Sequence, residues 1–109
     1  MRNSIIAVDF DGTLCKDIYP GIGEANVKLI DFLQAMICMG AKVILWTCRC
    51  GDRLKEAVEW CEEHGLMFAA VNENLPEMIE AYGSDSRKIF ADYYIDDKMW
   101  SCPGIPFKY

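Results

Sequence analysis

Residues Ser4 to Leu14, SIIAVDFDGTL, constrain the fold more than any other stretch. Four apolar residues, Ile5, Ile6, Ala7 and Val8, run without alternation into two carboxylates, Asp9 and Asp11, followed by Gly12 and Thr13. A short unalternated run rich in β-branched residues is the pattern of a strand covered on both faces, as strands of parallel sheets are. Strand side chains alternate with a period of two, so Asp9 and Asp11 leave the strand toward one side while Phe10 turns to the other. Two like charges that close repel unless a proton or a cation sits between them. Asp-Gly is also an ordinary turn dipeptide, so the rest of the chain has to decide between a turn and a site.

The segments that follow alternate between helix and strand patterns. Cys15 to Gly23 (CKDIYPGIG) holds Pro20, Gly21 and Gly23 and reads as a loop or flap rising from the end of the first strand. Glu24 to Met39 has Val27, Ile30, Leu33, Met36 and Ile37 at helical spacing, with Gly40 as its stop. Lys42 to Trp46 (KVILW) is a second buried strand ending in Thr47-Cys48-Arg49, and Gly51 and Asp52 open a helix that runs through His64. Met67 to Val71 predicts a third, weaker strand. Asn74 and Glu77 have the spacing of a capping box for a short helix ending near Gly83. A polar linker, Ser84 to Lys88, precedes a strand at Tyr93 to Ile95, which ends in Asp96-Asp97-Lys98. The rest, Met99 to Tyr109, is expected to be irregular, with Trp100, Phe107 and Tyr109 covering an apolar surface of the domain or of a second subunit.

Such alternation makes βαβ units, and right-handed crossovers turn them into a mostly parallel, Rossmann-like sheet inside a three-layer α/β/α sandwich. The chain's 109 residues suffice for one domain, 1–109. Ligands of such sheets bind beyond the carboxyl ends of the strands. That rule alone gathers Asp9, Asp11, Thr47, Arg49, Asn72, Asp96 and Asp97 at one edge.

Charge narrows the function classes. Seventeen acids against eleven bases give a formal net charge of −6, which offers no electrostatic footprint for non-specific binding of nucleic acid or an anionic membrane. No stretch has the pattern of a signal peptide or a membrane span, so the expected location is cytoplasmic. Six cysteines could indicate a disulfide framework, but Cys15, Cys38, Cys48, Cys50, Cys61 and Cys102 are scattered and are expected to be reduced and mostly buried. Cys48-x-Cys50 lacks the partner pair of a structural zinc site.

Several carboxylates, a hydroxyl and a few cations at one edge suit a hard ion such as Mg²⁺, which takes one or two carboxylates together with substrate phosphate. An aspartate beside such an ion can attack phosphorus and divide one hard step into two. The D-F-D-G-T-L run after a buried strand, Thr47 at the end of the second strand, Lys88 and the strand-end pair Asp96-Asp97 resemble the four motifs of the haloacid dehalogenase superfamily, in order and across nearly the whole chain.

That resemblance implies a nucleophilic Asp9 that also touches Mg²⁺, and an Asp11 that protonates the leaving oxygen, activates water and ligates the metal through its carbonyl. It implies Thr47 on the phosphoryl oxygens, Lys88 balancing their charge, and Asp96 as a further metal ligand, with Asp97 ligating directly or holding a metal-bound water. Gly12 is a candidate for the phosphate, and Arg49 either binds the substrate or phosphate or pairs with an acid. Lys88 stands four residues before Asp92 with Ile89 where the family's third motif has proline; Lys98 is the alternative. Only one loop and one helix separate Asp11 from Thr47, which implies a capless member with an open site. Such a site fits a phosphorylated small molecule, a phosphate protruding from a larger partner, or a small substrate enclosed by a neighbouring subunit of a homo-oligomer. Lys16, Asp17 and Tyr19 of the flap are placed to touch the leaving group.

The resulting expectation is a Mg²⁺-dependent phosphomonoesterase. A phosphotransferase would use the same intermediate with an alcohol as acceptor. A receiver-like signalling domain is a poorer fit, because there the adjacent acidic pair follows the first strand and the phosphorylated aspartate lies mid-chain, whereas here the adjacent pair, Asp96-Asp97, comes last and no strand-end aspartate stands in the middle. A non-catalytic phosphate- or metal-binding module is the remaining alternative.

Overall fold

The first strand, β1 (Ile5–Val8), is buried along its whole length and lies in the interior of a four-stranded sheet. In the computed structural model, which describes residues 3–99, its neighbours are β2 (Lys42–Leu45) and β4 (Tyr93–Ile95), and β3 (Ala70–Val71) lies outside β2. All pairings are parallel, in the order β3-β2-β1-β4, with Val8 opposite Leu45 on one side and Ile95 on the other. Parallel pairing points every strand's carboxyl end the same way. Residues just beyond Val8, Leu45 and Ile95 therefore share one rim of the sheet.

Alternation along β1 and β2 divides the apolar residues between two layers. Ile6, Val8, Val43 and Leu45 pack with Ile30 and Leu33 of α1 (Val27–Cys38) and with Ala57 and Cys61 of α2 (Gly51–Glu63). Ile5, Ala7 and Ile44 face the opposite way, onto Leu75, Ile89 and Ala91, with Met78 of α3 (Pro76–Tyr82) beside them. The architecture is thus a three-layer α/β/α sandwich, with α1 and α2 on one face and α3 on the other. Val8, Phe10 and Leu14 have no exposed surface, so the segment that carries the two aspartates is anchored by core residues on either side of them.

Several boundaries differ from the sequence reading. Helix α1 starts at Val27, because Asn26 caps it: its side-chain oxygen accepts from Leu29 N at 3.3 Å while its amide group donates to Thr13 O at 3.0 Å. Strand β2 stops at Leu45, and β3 shrinks to two residues, since this edge strand pairs with β2 alone. Asn74 is not the cap of α3. Leu75 is, without a side-chain bond, and the buried Asn74 side chain instead donates to Asp85 Oδ1 and Ser86 O and accepts from Phe90 N, which ties the loop after α3 to the body of the protein. The cysteines are not mostly buried: Cys15 and Cys61 are, whereas Cys38, Cys48 and Cys50 are exposed at a helix end and in the loop after β2. Cys102, Trp100, Phe107 and Tyr109 lie outside the described residues. Among the described residues no helix is long and apolar enough to cross a membrane.

Candidate functional site

Beyond the carboxyl ends of β1 and β4, the carboxylates of Asp9, Asp96 and Asp97 come together with one oxygen of each within 4.8 Å of the others. The backbone enforces this. Asp9 N donates to Ile95 O at 2.9 Å, which extends the β1–β4 ladder one residue past Val8 and sets Asp9 beside Asp96. Thr13, buried and absent from the expected site, links the two loops: its hydroxyl lies 3.3 Å from Asp9 Oδ2 and accepts from Asp97 N at 3.1 Å. Gly12 has φ +82°, and a Cβ there would overlap the Asp97 carboxylate. Glycine is what allows the acidic loop after β4 to lie against the loop after β1.

Electrostatics on this side of the site are unfavourable without a counter-charge. Burial, together with the nearby charges of Asp96 and Asp97, pushes the Asp9 carboxyl up to about 7, against the opposing pull of the Phe10 amide. Among the described residues, Asp97 Oδ1 is buried and accepts no hydrogen bond. A carboxylate oxygen left this way costs free energy that a cation would return. Three carboxylates converging on one point, one with an orphaned oxygen, are a donor set that fits a hard divalent cation.

Asp11 is handled differently. Both of its oxygens accept from Arg49, Nε on Oδ2 and Nη2 on Oδ1, each at 2.8 Å, and the two side chains are 17% and 1% exposed. The remaining Arg49 donors reach Pro20 O, Gly21 O and Arg53 O. The guanidinium lies between the rings of Phe10 and Tyr19, 5.0 Å from each centroid. The sequence reading leaves Arg49 either on the substrate or phosphate or paired with an acid; in the structure it pairs with Asp11 and all five of its N–H groups are committed to the protein, because the flap that leaves β1 folds back over the end of β2. Arg49 thus holds the flap and Asp11 in place.

Thr47, at the same rim, is buried. Its amide donates to Asn72 Oδ1 at 2.8 Å, and its hydroxyl accepts from Arg49 N at 3.1 Å. Asn72, in the left-handed region at φ +56°, also reaches Arg49 O, so its turn orders the whole Thr47–Arg49 loop. A cavity of about 450 Å³ opens among these groups, bordered by Asp9, Asp11, Thr47, Cys48, Arg49 and Asp96, by Asp17 and Tyr19 of the flap, and by Lys98. A second cavity, of about 160 Å³, shares Asp9 and Asp96 and holds Lys88. Lys88 Nζ sits 5.5 Å from the Tyr94 ring centroid, and Lys98 Nζ lies 3.6 Å from Asp97 Oδ2. The two candidate lysines therefore flank the acidic cluster from different cavities. Lys16 borders neither cavity and lines a separate depression beside Gly12 and Asn26.

No family model matches the chain, and no curated protein does. A solved structure, of a conserved protein from Bacteroides thetaiotaomicron, matches with 43% sequence identity and a TM-score of 0.80, over 90% of this chain and 78% of that one. The chain belongs to the family of that conserved protein. Its description names neither an activity nor a ligand, so the functional reading rests on the residues at the rim of the sheet.

Proposed function

We propose that the protein is a Mg²⁺-dependent phosphomonoesterase that forms an aspartyl-phosphate on Asp9. The observation that carries this reading is the convergence of Asp9, Asp96 and Asp97 around one point, with a buried Asp97 oxygen that accepts no hydrogen bond among the described residues. Resemblance of the D-F-D-G-T-L run and the Asp96-Asp97 pair to haloacid dehalogenase motifs supports it. Asp9, Asp96 and Asp97 would hold the ion, which when bound supplies charge neutralisation for the phosphoryl group.

The protein groups divide the remaining work. Asp9 Oδ forms a bond to phosphorus as the bond to the leaving oxygen breaks, and hydrolysis of the resulting acyl-phosphate regenerates the carboxylate. Thr47 Oγ1, which accepts from Arg49 N, has its own proton left to donate to a phosphoryl oxygen. Lys88 approaches Asp9 and Asp96 from the smaller cavity and balances charge there. Asp11 is the nearest group able to carry a proton to the leaving oxygen, and to do so one of its oxygens must come away from Arg49.

That pairing favours a second reading. If Asp11 stays on Arg49, neither water nor an alcohol has it as a base, the aspartyl-phosphate persists, and an alcohol bound in the cavity beside it takes the phosphoryl group by position, giving up its proton to solvent, which makes the protein a phosphotransferase. Release of phosphate from an aryl phosphate with Mg²⁺, absent in Asp9→Asn, tests the main reading. Added glycerol separates the two: a phosphotransferase releases aryl alcohol faster than inorganic phosphate. No aryl alcohol released above the Asp9→Asn control would leave a binding module as the better description.

A further inference from the structure

We infer that the larger cavity takes a phosphate ester whose leaving group carries a flat aromatic ring, an aryl group or a nucleobase, and that Tyr19 is the face on which this ring stacks. This rests on the phosphomonoesterase reading and names its substrate class. Among the described residues that border the cavity, Tyr19 is the one aromatic side chain, and no apolar side chain larger than Cys48 stands there. The Tyr19 ring is 58% exposed although the Arg49 guanidinium lies against it, 5.0 Å from the centroid. The same guanidinium lies 5.0 Å from the ring of Phe10, which has no exposed surface. Phe10, Arg49 and Tyr19 thus form a stack that starts in the core and ends in an open ring.

The support under that ring is fixed. Arg49 has its donors on Asp11 and on the Pro20, Gly21 and Arg53 carbonyls, two of which belong to the flap that carries Tyr19. Within the flap, Asp17 Oδ1 accepts from Tyr19 N at 3.1 Å, so the ring and its support are held as one piece. A side chain already ordered loses little freedom when a ligand meets it, and more of the contact is left for affinity. One face of Tyr19 is spent on the cation; the π-surface that remains is one on which bases and aryl groups stack. Asp17 and Lys98 stand on the same cavity wall, an acceptor-only and a donor-only group for the polar edge of a base. Covering Arg49 is a role that an aliphatic side chain fills as well, whereas stacking is not.

Two matched pairs of esters test this on the native protein with Mg²⁺. Adenosine 5′-monophosphate and ribose 5-phosphate differ by the base; benzyl phosphate and cyclohexylmethyl phosphate have leaving groups of similar size, one flat and aromatic, the other neither. The expected kcat/KM favours the aromatic member of at least one pair by about tenfold, the strength of one stacked base, and which pair shows it distinguishes nucleobase from aryl recognition. Tyr19→Phe keeps the face and should hold that preference to within about twofold, whereas Tyr19→Leu, which still covers Arg49, should erase it. No preference in either pair, or a preference that Tyr19→Leu leaves or Tyr19→Phe removes, overturns the inference. If no ester, the aryl phosphate included, releases phosphate, the phosphomonoesterase reading fails by itself. Calorimetric binding of the same pairs with Mg²⁺ then reads the preference directly, and aromatic members that bind no tighter than their partners refute it.

Discussion

Asp9 and Asp11 leave one strand end two positions apart, yet Asp11 has both oxygens on a buried guanidinium while Asp9 faces Asp96 and Asp97 with no ion pair among the described residues. The β2 side of the rim is finished: flap, Asp11, Arg49 and the Thr47 loop satisfy one another. The β1–β4 side has surplus negative charge and a buried oxygen that accepts no hydrogen bond among the described residues. Spacing in the sequence does not decide which kind of carboxylate results. What decides it is the element that arrives opposite, a cation from the loop after β2 in one case and two further acids from the loop after β4 in the other.

Removing Asp9 should break the comparison most sharply. Asp9→Asn is expected to lower Mg²⁺-dependent phosphate release by about a thousandfold or more while raising the melting temperature of the metal-free protein, since it relieves the repulsion. On the finished side, Arg49→Ala leaves the Asp11 carboxylate half-buried without its partner. A loss of about 3 kcal/mol in denaturant unfolding is expected, with lysine a poor rescue because it cannot fork across both oxygens or hold the Pro20 and Gly21 carbonyls. Turnover separates the lysines: Lys88→Ala should lower kcat by at least about tenfold and Lys98→Ala far less, the reverse ranking assigning the role to Lys98. Gly12→Ala puts a Cβ into the Asp97 carboxylate at a positive φ and should cost about 1–2 kcal/mol of stability, with weaker Mg²⁺ binding in calorimetry.

A further contrast is in pH. Asp9 titrates near 7 in the folded protein against an ordinary value of 3.8, so the unfolded chain gives up this proton first. Metal-free stability therefore declines as pH rises from about 4 to about 7 and then levels off. The decline should flatten in Asp9→Asn and shrink with millimolar Mg²⁺, as followed by thermal melts across that range.

The sheet was legible because its strands are short apolar runs whose carboxyl ends carry polar clusters, and parallel alternation leaves few ways to arrange them. The meeting of Asp9 with Asp96 and Asp97 follows from that rule. For Arg49 the sequence offers a phosphate or an acid as partner and cannot choose, because Asp11 and the Pro20 and Gly21 carbonyls surround it only once the flap has folded back. Asn74 carried a capping signature, and the loop after α3 claimed the same side chain. Thr13 stood within the motif as the small hydroxyl after Gly12; that it supports both Asp9 and Asp97 appears only once the loops after β1 and β4 lie side by side.

Strand β4 is three residues long and sits at the rim of the sheet, fastened to β1 by few bonds, yet it delivers both Asp96 and Asp97. The acidic trio does not exist until that last ribbon has docked. Any ion that binds it acts as a stitch between the earliest and the latest strands, so occupancy would be written into the deuterium uptake of the Tyr93–Ile95 amides before it altered anything in the middle of the fold.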